Sequence, residues 1–431
     1  MTSLFWHRRD LRIHDNAGLY KALKLSEKVQ PVFVFDTTIL SKLPPNDQRI
    51  IFIYKEIERL KAEYASHGSD LIVLYGDPVV EIPKLATQQT IESVYVNRDY
   101  EPAAIARDKQ VYELLGKLKI ELIGAKDHVL FEKNEIMKGD GTPYTIFTPY
   151  SKKWKEAINA FYLSPYPTEK YLSKLQPAAV TPLISLNKMG FSGQQQVEFP
   201  DRLFPRKVIS TYDQTRDIPS IKGTSRLSIH LRFGTISIRE LAKHAIKANP
   251  IYLNELIWRD FYQMIIFHFP HSAINAFKKQ YDRIEWEKDE EHFQSWCDGK
   301  TGYPMVDAGM RELNETGFMH NRVRMVVASF LTKHLLIDWR LGEAYFAEKL
   351  LDYELASNVG GWQWAAGCGC DAAPYFRVFN PTNQQEKFDK DFKYIRRWVP
   401  EFGTSDYPAP IVDHKFARER VIERYKRALN N

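Results

Sequence analysis

One helical face over residues 251–262 carries a carboxyl, an indole, a guanidinium and a phenol. The residues stand at i, i+3, i+4 and i+7 and are Glu255, Trp258, Arg259 and Tyr262. A helix presents such positions together, so the set could stack on a nucleobase, hydrogen-bond its edge and hold a phosphate. The alternative is an ordinary amphipathic helix with a Glu–Arg surface pair. The spacing alone leaves both interpretations open.

A second set of polar side chains recurs at helical spacing further along the chain. Asn321, Arg324 and Met325 stand at i, i+3 and i+4, with Arg322 beside them. An asparagine can hydrogen-bond a base edge, and a methionine can fill a hydrophobic slot. A helix N-terminus with solvated arginines explains the same residues equally well.

The third stretch, residues 223–228, places Gly, Thr, Ser and Arg before a helical pattern. Free backbone N–H groups at a helix start, with hydroxyls and Arg226, would form an anion site. Ser and Thr are also ordinary helix N-caps. The surrounding residues 202–244 hold nine Lys or Arg against three Asp or Glu, which favours the anion site.

Residues 358–381 combine several glycines with two tryptophans that flank one glutamine. Glycines allow the backbone to approach a flat group closely, although a compact buried turn would use the same residues. The dinucleotide-like pattern at 367–372 lacks a preceding strand, so a Rossmann phosphate site is not expected there. No metal-ligand spacing and no nucleophile elbow occur, and we therefore predict no metal site.

The elements that must position these residues fall into two kinds. Short β-branched runs at 3–7, 29–35, 71–75, 93–97 and 120–123 alternate with amphipathic stretches, which predicts a parallel sheet with helices on both faces. Proline-rich sequence from 131 to about 222 predicts a long surface connection. After residue 223 only helical patterns remain. The fold class is therefore α/β followed by all-α.

The composition narrows the class of protein. The 431 residues are 44% hydrophobic and 26% charged, which excludes a disordered, collagen-like or membrane-spanning chain. A net charge of +6 suits a polyanionic partner, and 13% aromatic residues suit bulky cores or stacked planar ligands. Three cysteines indicate a reducing cytoplasm, and no secretory leader is expected.

Taken together, these stretches resemble the photolyase/cryptochrome flavoprotein family, and most closely its class I cyclobutane pyrimidine dimer photolyases. The similarity runs through residues 5–16, 223–228, 254–262, 300–307, 317–325 and 362–381. It implies a Rossmann-like antenna domain over 1–130, a linker over 131–200, and a helical FAD-binding and DNA-binding domain over 201–431.

The resemblance also implies an activity, which is light-driven repair of cyclobutane pyrimidine dimers by electron transfer from photoexcited, reduced FAD. The expected enzyme is a carbon–carbon lyase, a cytoplasmic monomer that associates with the nucleoid when it binds UV-damaged DNA and has no membrane partner. A cryptochrome-type photoreceptor or a (6-4) photolyase is the alternative. The (6-4) lesion is less favoured because Met319 precedes His320, where that class has two histidines. No signalling tail is expected after Asn431.

By motif position, the resemblance assigns roles to individual residues. The U-shaped FAD would contact Tyr212, Thr224, Ser225, Arg226, Leu227, Ser228, Arg324, Asp352, Glu354 and Asn358, with Asn358 facing flavin N5 and Arg324 bridged to Asp352. The lesion and DNA would contact Arg216, Glu255, Trp258, Arg259, Tyr262, Asn321, Arg322, Met325 and Trp364. The catalytic residues would be Glu255, Asn358, Asn321 and Met325, and the electron-transfer chain Trp362, Trp339 and Trp286. We expect Glu255 to lie in an apolar pocket and to be protonated.

Some positions depart from the family pattern. Glu354 replaces a shorter acid, and Val359 and Cys368 replace more usual polar residues. A second, antenna chromophore would be a folate, a deazaflavin or another flavin, or it would be absent. Glu101 matches a folate site, but Ala273 stands where that site would have a lysine.

Overall fold

The computed structural model describes residues 2–430, which divide into two compact units. The first unit comprises the residues up to 135, 156–203 and 227–244, and the second comprises 136–155, 204–226 and the chain from 245 onward. The first unit contains the strand patterns of the sequence, and the second contains most of the later helical patterns. The domain boundaries expected at residues 130 and 200 stay a prediction.

The first unit contains a five-stranded parallel sheet. Its strands are β1 (Thr2–His7), β2 (Lys28–Asp36), β3 (Ile72–Gly76), β4 (Ser93–Asn97) and β5 (Glu121–Ala125). The strand order is β3-β2-β1-β4-β5, and every pairing is parallel. Parallel neighbours require crossover connections, which the intervening helices provide. The predicted strands and the α/β class of this half are confirmed.

The helices begin as crossovers and then make up most of the second unit. Up to residue 248 they are α1 (Ala17–Leu25), α2 (Thr37–Leu40), α3 (Gln48–Ser66), α4 (Pro78–Gln88), α5 (Pro102–Lys117), α6 (Phe147–Ala157), α7 (Ala160–Leu163), α8 (Arg206–Ser210), α9 (Tyr212–Thr215), α10 (Ser228–Phe233) and α11 (Ile238–Ala248). The remainder are α12 (Pro250–His268), α13 (Glu290–Cys297), α14 (Pro304–Thr316), α15 (Asn321–Ser329), α16 (Trp339–Lys349), α17 (Leu355–Ala366), α18 (Pro381–Phe388), α19 (Lys393–Trp398) and α20 (His414–Asn430). Helix α15 runs directly into a π-helical turn, Phe330–His334.

The surface connection expected over 131–222 is wrong at α6. Trp154 in this helix is fully buried, and its Nε1 donates a hydrogen bond to Asp260 Oδ2 at 3.0 Å. Tyr150 and Trp154 form a narrow apolar stripe at i and i+4, while lysines occupy the exposed side. The flanking prolines and this lysine-rich face hid the helical signal, because Pro149 in the first turn does not break a helix.

Aromatic side chains dominate the core of the second unit. Trp296, Trp339, Trp362 and Phe330 are each at most 2% exposed and belong to one hydrophobic cluster.

Within residues 2–430, no helix is long and apolar enough to cross a membrane.

The first unit is held together by buried ion pairs centred on Asp127. Its carboxylate accepts from Arg12 Nη2 and from Arg239 Nη2, each at 2.8 Å, and from the backbone N–H of Ala17 at 3.1 Å. Burial alone would raise the pKa of Asp127, but the two guanidiniums outweigh it and hold that pKa well below its ordinary value. Asp127 therefore stays ionised and joins residues far apart in the sequence.

The substitution Asp127→Ala should lower the free energy of unfolding by about 3–5 kcal/mol, because it leaves two buried guanidiniums without this partner. Urea unfolding measures the loss at neutral pH. Because the folded pKa is depressed, the stabilisation by Asp127 is present above the ordinary pKa of about 4 and fades as the pH falls below it. The difference between the two proteins should therefore shrink in acid.

Asp391→Ala is the matched control, since Asp391 is exposed and its pair with Lys393 at 3.2 Å is solvated. It should change stability by less than about 1 kcal/mol. Equal losses in the two variants would contradict the role of the buried cluster.

Candidate active site

Helix α12 places Glu255 against a guanidinium. Glu255 Oε1 accepts a hydrogen bond from Arg216 Nη1 at 2.6 Å. Burial raises the pKa of Glu255, and Arg216 opposes this shift without cancelling it. The sequence hypothesis placed Glu255 in an apolar pocket, whereas the structure puts a cation beside it. The raised pKa therefore results from loss of water around the carboxyl.

An ion-pair network extends from Glu255 to α15. Asp217 lies 3.9 Å from Arg216 Nε and accepts from Arg322 Nη2 at 2.7 Å, and Arg322 Nη1 lies 3.7 Å from Met325 Sδ. Residues of two separate sequence motifs and of the segment 216–217 thus form one connected cluster. Asn321 stays exposed at the start of α15. Sequence analysis missed Asp217, which links the two arginines.

Three aromatic rings pack around Trp258, and they belong to Phe147, Phe261 and Tyr262. The Phe147 ring stacks on Trp258 with 3.6 Å between ring centroids and an interplanar angle of 4°, and Tyr262 lies 5.3 Å from Trp258. The Phe147 backbone N–H donates to Asp371 Oδ2 at 2.8 Å, which ties α6 to the loop after α17. Phe147 was not predicted, because the surface connection was expected to begin before it.

Arg259, on the same helix, is buried in an ion pair. Its side chain is 9% exposed, and Nη2 donates to Glu354 Oε1 at 3.1 Å, while Ser357 Oγ donates to Glu354 Oε2 at 2.9 Å. The pair joins α12 to the residue that caps α17, and the contact with DNA expected for Arg259 stays a prediction. Glu354, which replaces the shorter acid of the family pattern, is thus the ion-pair partner of Arg259.

Helices α12 and α17 approach each other closely at Gly360. A Cβ on Gly360 would lie 2.3 Å from Tyr262 Cε1, so only glycine fits this contact. An adjoining pocket of about 360 Å³, open to solvent, is lined by side chains of both helices and of the following loop, including Tyr262, Ile265, Val359, Gln363, Trp364 and Cys370. The structure thus brings Tyr262 and Trp364 to one pocket, and the contacts with DNA expected for both stay a prediction.

The segment expected to hold phosphates has a strained backbone and an unused donor. Arg226 has φ +54°, and within residues 2–430 its buried Nε has no hydrogen-bond partner. Ser225 Oγ shares a hydrogen bond with Tyr252 OH at 2.9 Å, and the Tyr252 ring packs edge-on against Tyr212 at 5.1 Å. Thr224 is half-buried beside them, whereas Leu227 and Ser228 group with the first unit, where Ser228 begins α10.

The expected pair between Arg324 and Asp352 is present, with Nη2 and Oδ2 3.2 Å apart. Asn358, on α17, donates from Nδ2 to Glu343 Oε1 at 2.9 Å. Glu343 belongs to α16 and was missed, because nothing in its sequence neighbourhood resembles a binding motif. Burial raises the pKa of Glu343, while hydrogen bonds from Asn358 and Tyr353 oppose the shift.

The three tryptophans of the expected electron-transfer chain differ in their surroundings. Trp362 and Trp339 are buried, whereas Trp286 is half-buried and lies 6.1 Å from the Tyr425 ring. Trp362 packs edge-on against Phe346 at 5.0 Å and Trp296 at 6.0 Å. Trp296 was not predicted.

Comparison with known proteins agrees with this arrangement. Residues 3–170 match the family model described as DNA photolyase, and residues 252–404 match the FAD binding domain of DNA photolyase. A deoxyribodipyrimidine photo-lyase of Synechococcus sp. is 38% identical over 98% of this chain and 96% of its own. The chain therefore belongs to the DNA photolyase family, as predicted from the sequence, and its enzyme class is confirmed with it.

Two solved structures have the same fold. A bacterial class III photolyase from Agrobacterium tumefaciens has a TM-score of 0.87 at 31% identity, covering 100% of this chain and 98% of its own. An archaeal photolyase from Sulfolobus tokodaii, solved with two FAD molecules, has a TM-score of 0.85 at 34% identity, covering 99% and 100%. The all-helical fold of the second half is confirmed, and the assignment to class I stays a prediction.

The residues present fit the FAD that the matched domain binds. Among the residues that the structure describes, the buried Arg226 Nε has no acceptor, as expected beside an anionic group, and Arg324 and Asp352 offer one charge of each sign. The FAD prediction is confirmed at the level of the domain, while the individual contacts stay a prediction. Among residues 2–430, no three His, Cys, Asp or Glu side chains are grouped so that they could hold a metal ion.

Gly342→Ala should destabilise the protein, because the new Cβ would lie 2.1 Å from Trp362 Cη2 in a tightly packed core. Overpacking of this kind costs about 1–3 kcal/mol. Urea unfolding followed by near-UV circular dichroism measures the change.

Gly361→Ala, in the neighbouring helix, is the control, since no atom lies within 4 Å of its added Cβ. It should leave stability unchanged or raise it by up to about 1 kcal/mol. If Gly342→Ala proved as stable as Gly361→Ala, the close approach to Trp362 would not constrain the fold.

Proposed function

We propose that this chain is a light-driven enzyme that splits cyclobutane pyrimidine dimers in DNA. The observation that carries the proposal is the packing of α12 on α17. Helix α12 carries Glu255, Trp258 and Tyr262, and its Tyr262 ring lies against Gly360 of α17, the helix of Asn358 and Trp364. The side chains expected at the lesion and those expected at the flavin thus belong to one helix pair.

When bound, reduced FAD supplies an electron to the dimer after absorbing blue light, and the protein positions the two partners. Tyr212, Thr224, Ser225, Arg226, Leu227 and Ser228 would hold its phosphate side, and Arg324, Asp352, Glu354 and Asn358 its flavin and ribose. A protonated Glu255 would donate a hydrogen bond to a thymine carbonyl oxygen as negative charge develops there, and the burial that raises the pKa of Glu255 supports this role, although Arg216 opposes the shift. Trp258 and Trp364 exclude water and contact the bases.

The partner is UV-damaged DNA, from which the lesion is extruded. A dimer stacks and pairs poorly, so extruding it costs less than extruding an intact base pair. Arg216 and Arg322 would contact the DNA from the edge of the ion-pair network, and binding would weaken as salt rises. We propose that the enzyme acts as a monomer in the cytoplasm.

A second chromophore is part of the proposal, because the Sulfolobus tokodaii photolyase was solved with two FAD molecules. Glu101, which matches a folate site, is paired with Arg9 Nη1 at 3.2 Å in the first unit. We propose a folate, a deazaflavin or a second flavin as this chromophore. Extraction and spectroscopy of the pigments identifies it.

Repair of a dimer-containing oligonucleotide under blue light, with the flavin reduced beforehand, tests the function. Glu255→Gln should keep much of the repair yield, because an amide still donates a hydrogen bond to the thymine carbonyl. Glu255→Ala should lose roughly tenfold or more, the range expected when a donor to developing charge is removed.

Chromatography of the repaired oligonucleotide measures the yield, and a dark incubation is the control. Equal, full activity in both variants would remove the role of Glu255. No repair by the unsubstituted protein would overturn the function itself and would favour a photoreceptor.

Trp362→Phe should block light-driven reduction of the oxidised flavin, because the buried indole is expected to be the first electron donor. Repair after chemical reduction should stay intact. Flavin absorption during illumination follows the first process, and Trp398→Phe, in the separate helix α19, serves as the control. Normal photoreduction in Trp362→Phe would show that another residue donates.

A further inference from the structure

We propose that Arg216 and Glu255 exchange partners when damaged DNA binds, and that Glu255 takes up a proton in the exchange. The inference rests on the proposed function, in which Glu255 faces the extruded lesion and Arg216 contacts the DNA. In the free protein the two side chains are paired, with Arg216 Nη1 2.6 Å from Glu255 Oε1. In the complex, Arg216 binds a phosphate of the DNA, and a proton from solvent neutralises the Glu255 carboxyl.

The pair of the free protein is incompatible with the hydrogen bond proposed for repair. Glu255 Oε1 already accepts a hydrogen bond from Arg216 Nη1, as an ionised carboxylate does. Ionised carboxylates and thymine carbonyl oxygens are both acceptors without a proton to donate, so they repel each other. A hydrogen bond from Glu255 to the thymine carbonyl therefore requires a proton on the carboxyl. A neutral carboxyl no longer attracts the Arg216 charge, which is then available to another anion.

The Arg216–Glu255 pair lies where a phosphate can reach it. The Arg216 side chain is 27% exposed and the Glu255 side chain 31% exposed, whereas the side chains of the Arg259–Glu354 pair are at most 9% exposed. A guanidinium binds a phosphate with the same paired hydrogen bonds that it offers a carboxylate. Arg216 can therefore leave Glu255 for DNA without losing an anionic partner.

The groups around Glu255 favour the neutral carboxyl once Arg216 leaves. Partial burial raises the pKa of Glu255, while the charge and the hydrogen bond of Arg216 lower it. Of the smaller influences, the charge of Asp217 raises this pKa, and the Tyr212 hydroxyl lowers it through a hydrogen bond. A base that enters the pocket removes more water from the carboxyl, which disfavours the charged form further.

Other titratable and charged groups nearby do not supply the proton or replace Arg216. Tyr252 and Tyr262, on the same helix, stay neutral, because burial raises the pKa of both phenols above its ordinary value. Burial lowers the pKa of His320 to about 4, so this imidazole is neutral as well. Arg322 is paired with Asp217, with Nη2 and Oδ1 2.7 Å apart.

The exchange makes the binding of damaged DNA depend on pH with a definite sign. Because the pKa of Glu255 is higher in the complex than in the free protein, the complex binds more protons between these two pKa values. By linkage, the affinity for damaged DNA falls as the pH rises through this interval, by up to about tenfold per pH unit for one proton. Below the lower pKa Glu255 is neutral in both states, and above the higher one it is ionised in both, so the dependence disappears.

Binding of a dimer-containing oligonucleotide in the dark tests the exchange, since no repair occurs without light. Fluorescence anisotropy at constant salt measures the affinity from about pH 5 to about pH 8, the range in which raised carboxyl pKa values lie. The slope of the logarithm of affinity against pH gives the number of protons taken up. Glu255→Gln, which cannot titrate, should reduce this slope by roughly half a proton to one proton.

Arg216→Gln separates the exchange of partners from a simple titration of Glu255. Without the guanidinium, Glu255 should be neutral before DNA binds, so the proton uptake should fall to less than about half of that of the unsubstituted protein. Glu401→Gln is the matched control, because Glu401 Oε1 is also 2.6 Å from an arginine, at Arg311 Nη2, outside the network of Glu255. This variant should keep the full slope.

Two results would overturn the exchange. Equal slopes in Glu255→Gln and in the unsubstituted protein would show that the carboxyl does not change its charge, as when it stays ionised and accepts from the thymine N3–H. An undiminished slope in Arg216→Gln would show that Glu255 titrates without Arg216. Failure of the unsubstituted protein to bind the dimer would overturn the proposed function itself, whereas binding without a slope that depends on Glu255 overturns this inference alone.

Discussion

The close packing of α17 against two neighbouring helices is the constraint on which the site depends. On one side Gly360 admits the Tyr262 ring of α12, and on the other the Trp362 ring occupies the space beside Gly342 of α16. Neither glycine has a positive φ. Each is required because an aromatic ring takes the place of a Cβ, and rigid rings cannot move aside as a flexible chain would. These two contacts fix the rotation of α17 about its axis and its distance from α12 and α16.

Two ion pairs add to the helix contacts that the glycines allow. The buried pair of Arg259 and Glu354 joins α12 to the start of α17, and the Arg324–Asp352 pair joins α15 to the segment just before it. Buried ion pairs contribute little net stability, since desolvation offsets attraction, but they penalise any misaligned packing heavily. Glycine contacts and buried charges thus act together, the first by allowing close approach and the second by allowing only one register.

The sequence predicted the parallel sheet, the helical second half and the FAD domain because periodicity and long motifs report on local structure. It did not reveal that Arg259 is buried against Glu354, since helical spacing cannot tell how far a helix is buried on each side. Glu343, Asp217 and Phe147 were missed because each acts through a partner distant in sequence. The motif at 300–307 matches the family, but its Asp307 stabilises a turn. The Asp307 carboxylate accepts a hydrogen bond from the Thr301 backbone N–H at 2.7 Å. A matched motif therefore need not contact a ligand.

The parallel stack of Phe147 on Trp258 bears on how a ligand would arrive. An indole that already has a ring on one face is shielded from water there before any nucleic acid binds. If a base stacked on this face of Trp258, it would displace the Phe147 ring, and Trp258 would exchange one aromatic neighbour for another. Little free energy would be gained from dehydrating that face, because Phe147 already shields it from water. Discrimination at Trp258 would then depend on fit and polarity rather than on hydrophobic gain, and the helix carrying Phe147 would have to shift each time the position was filled or vacated.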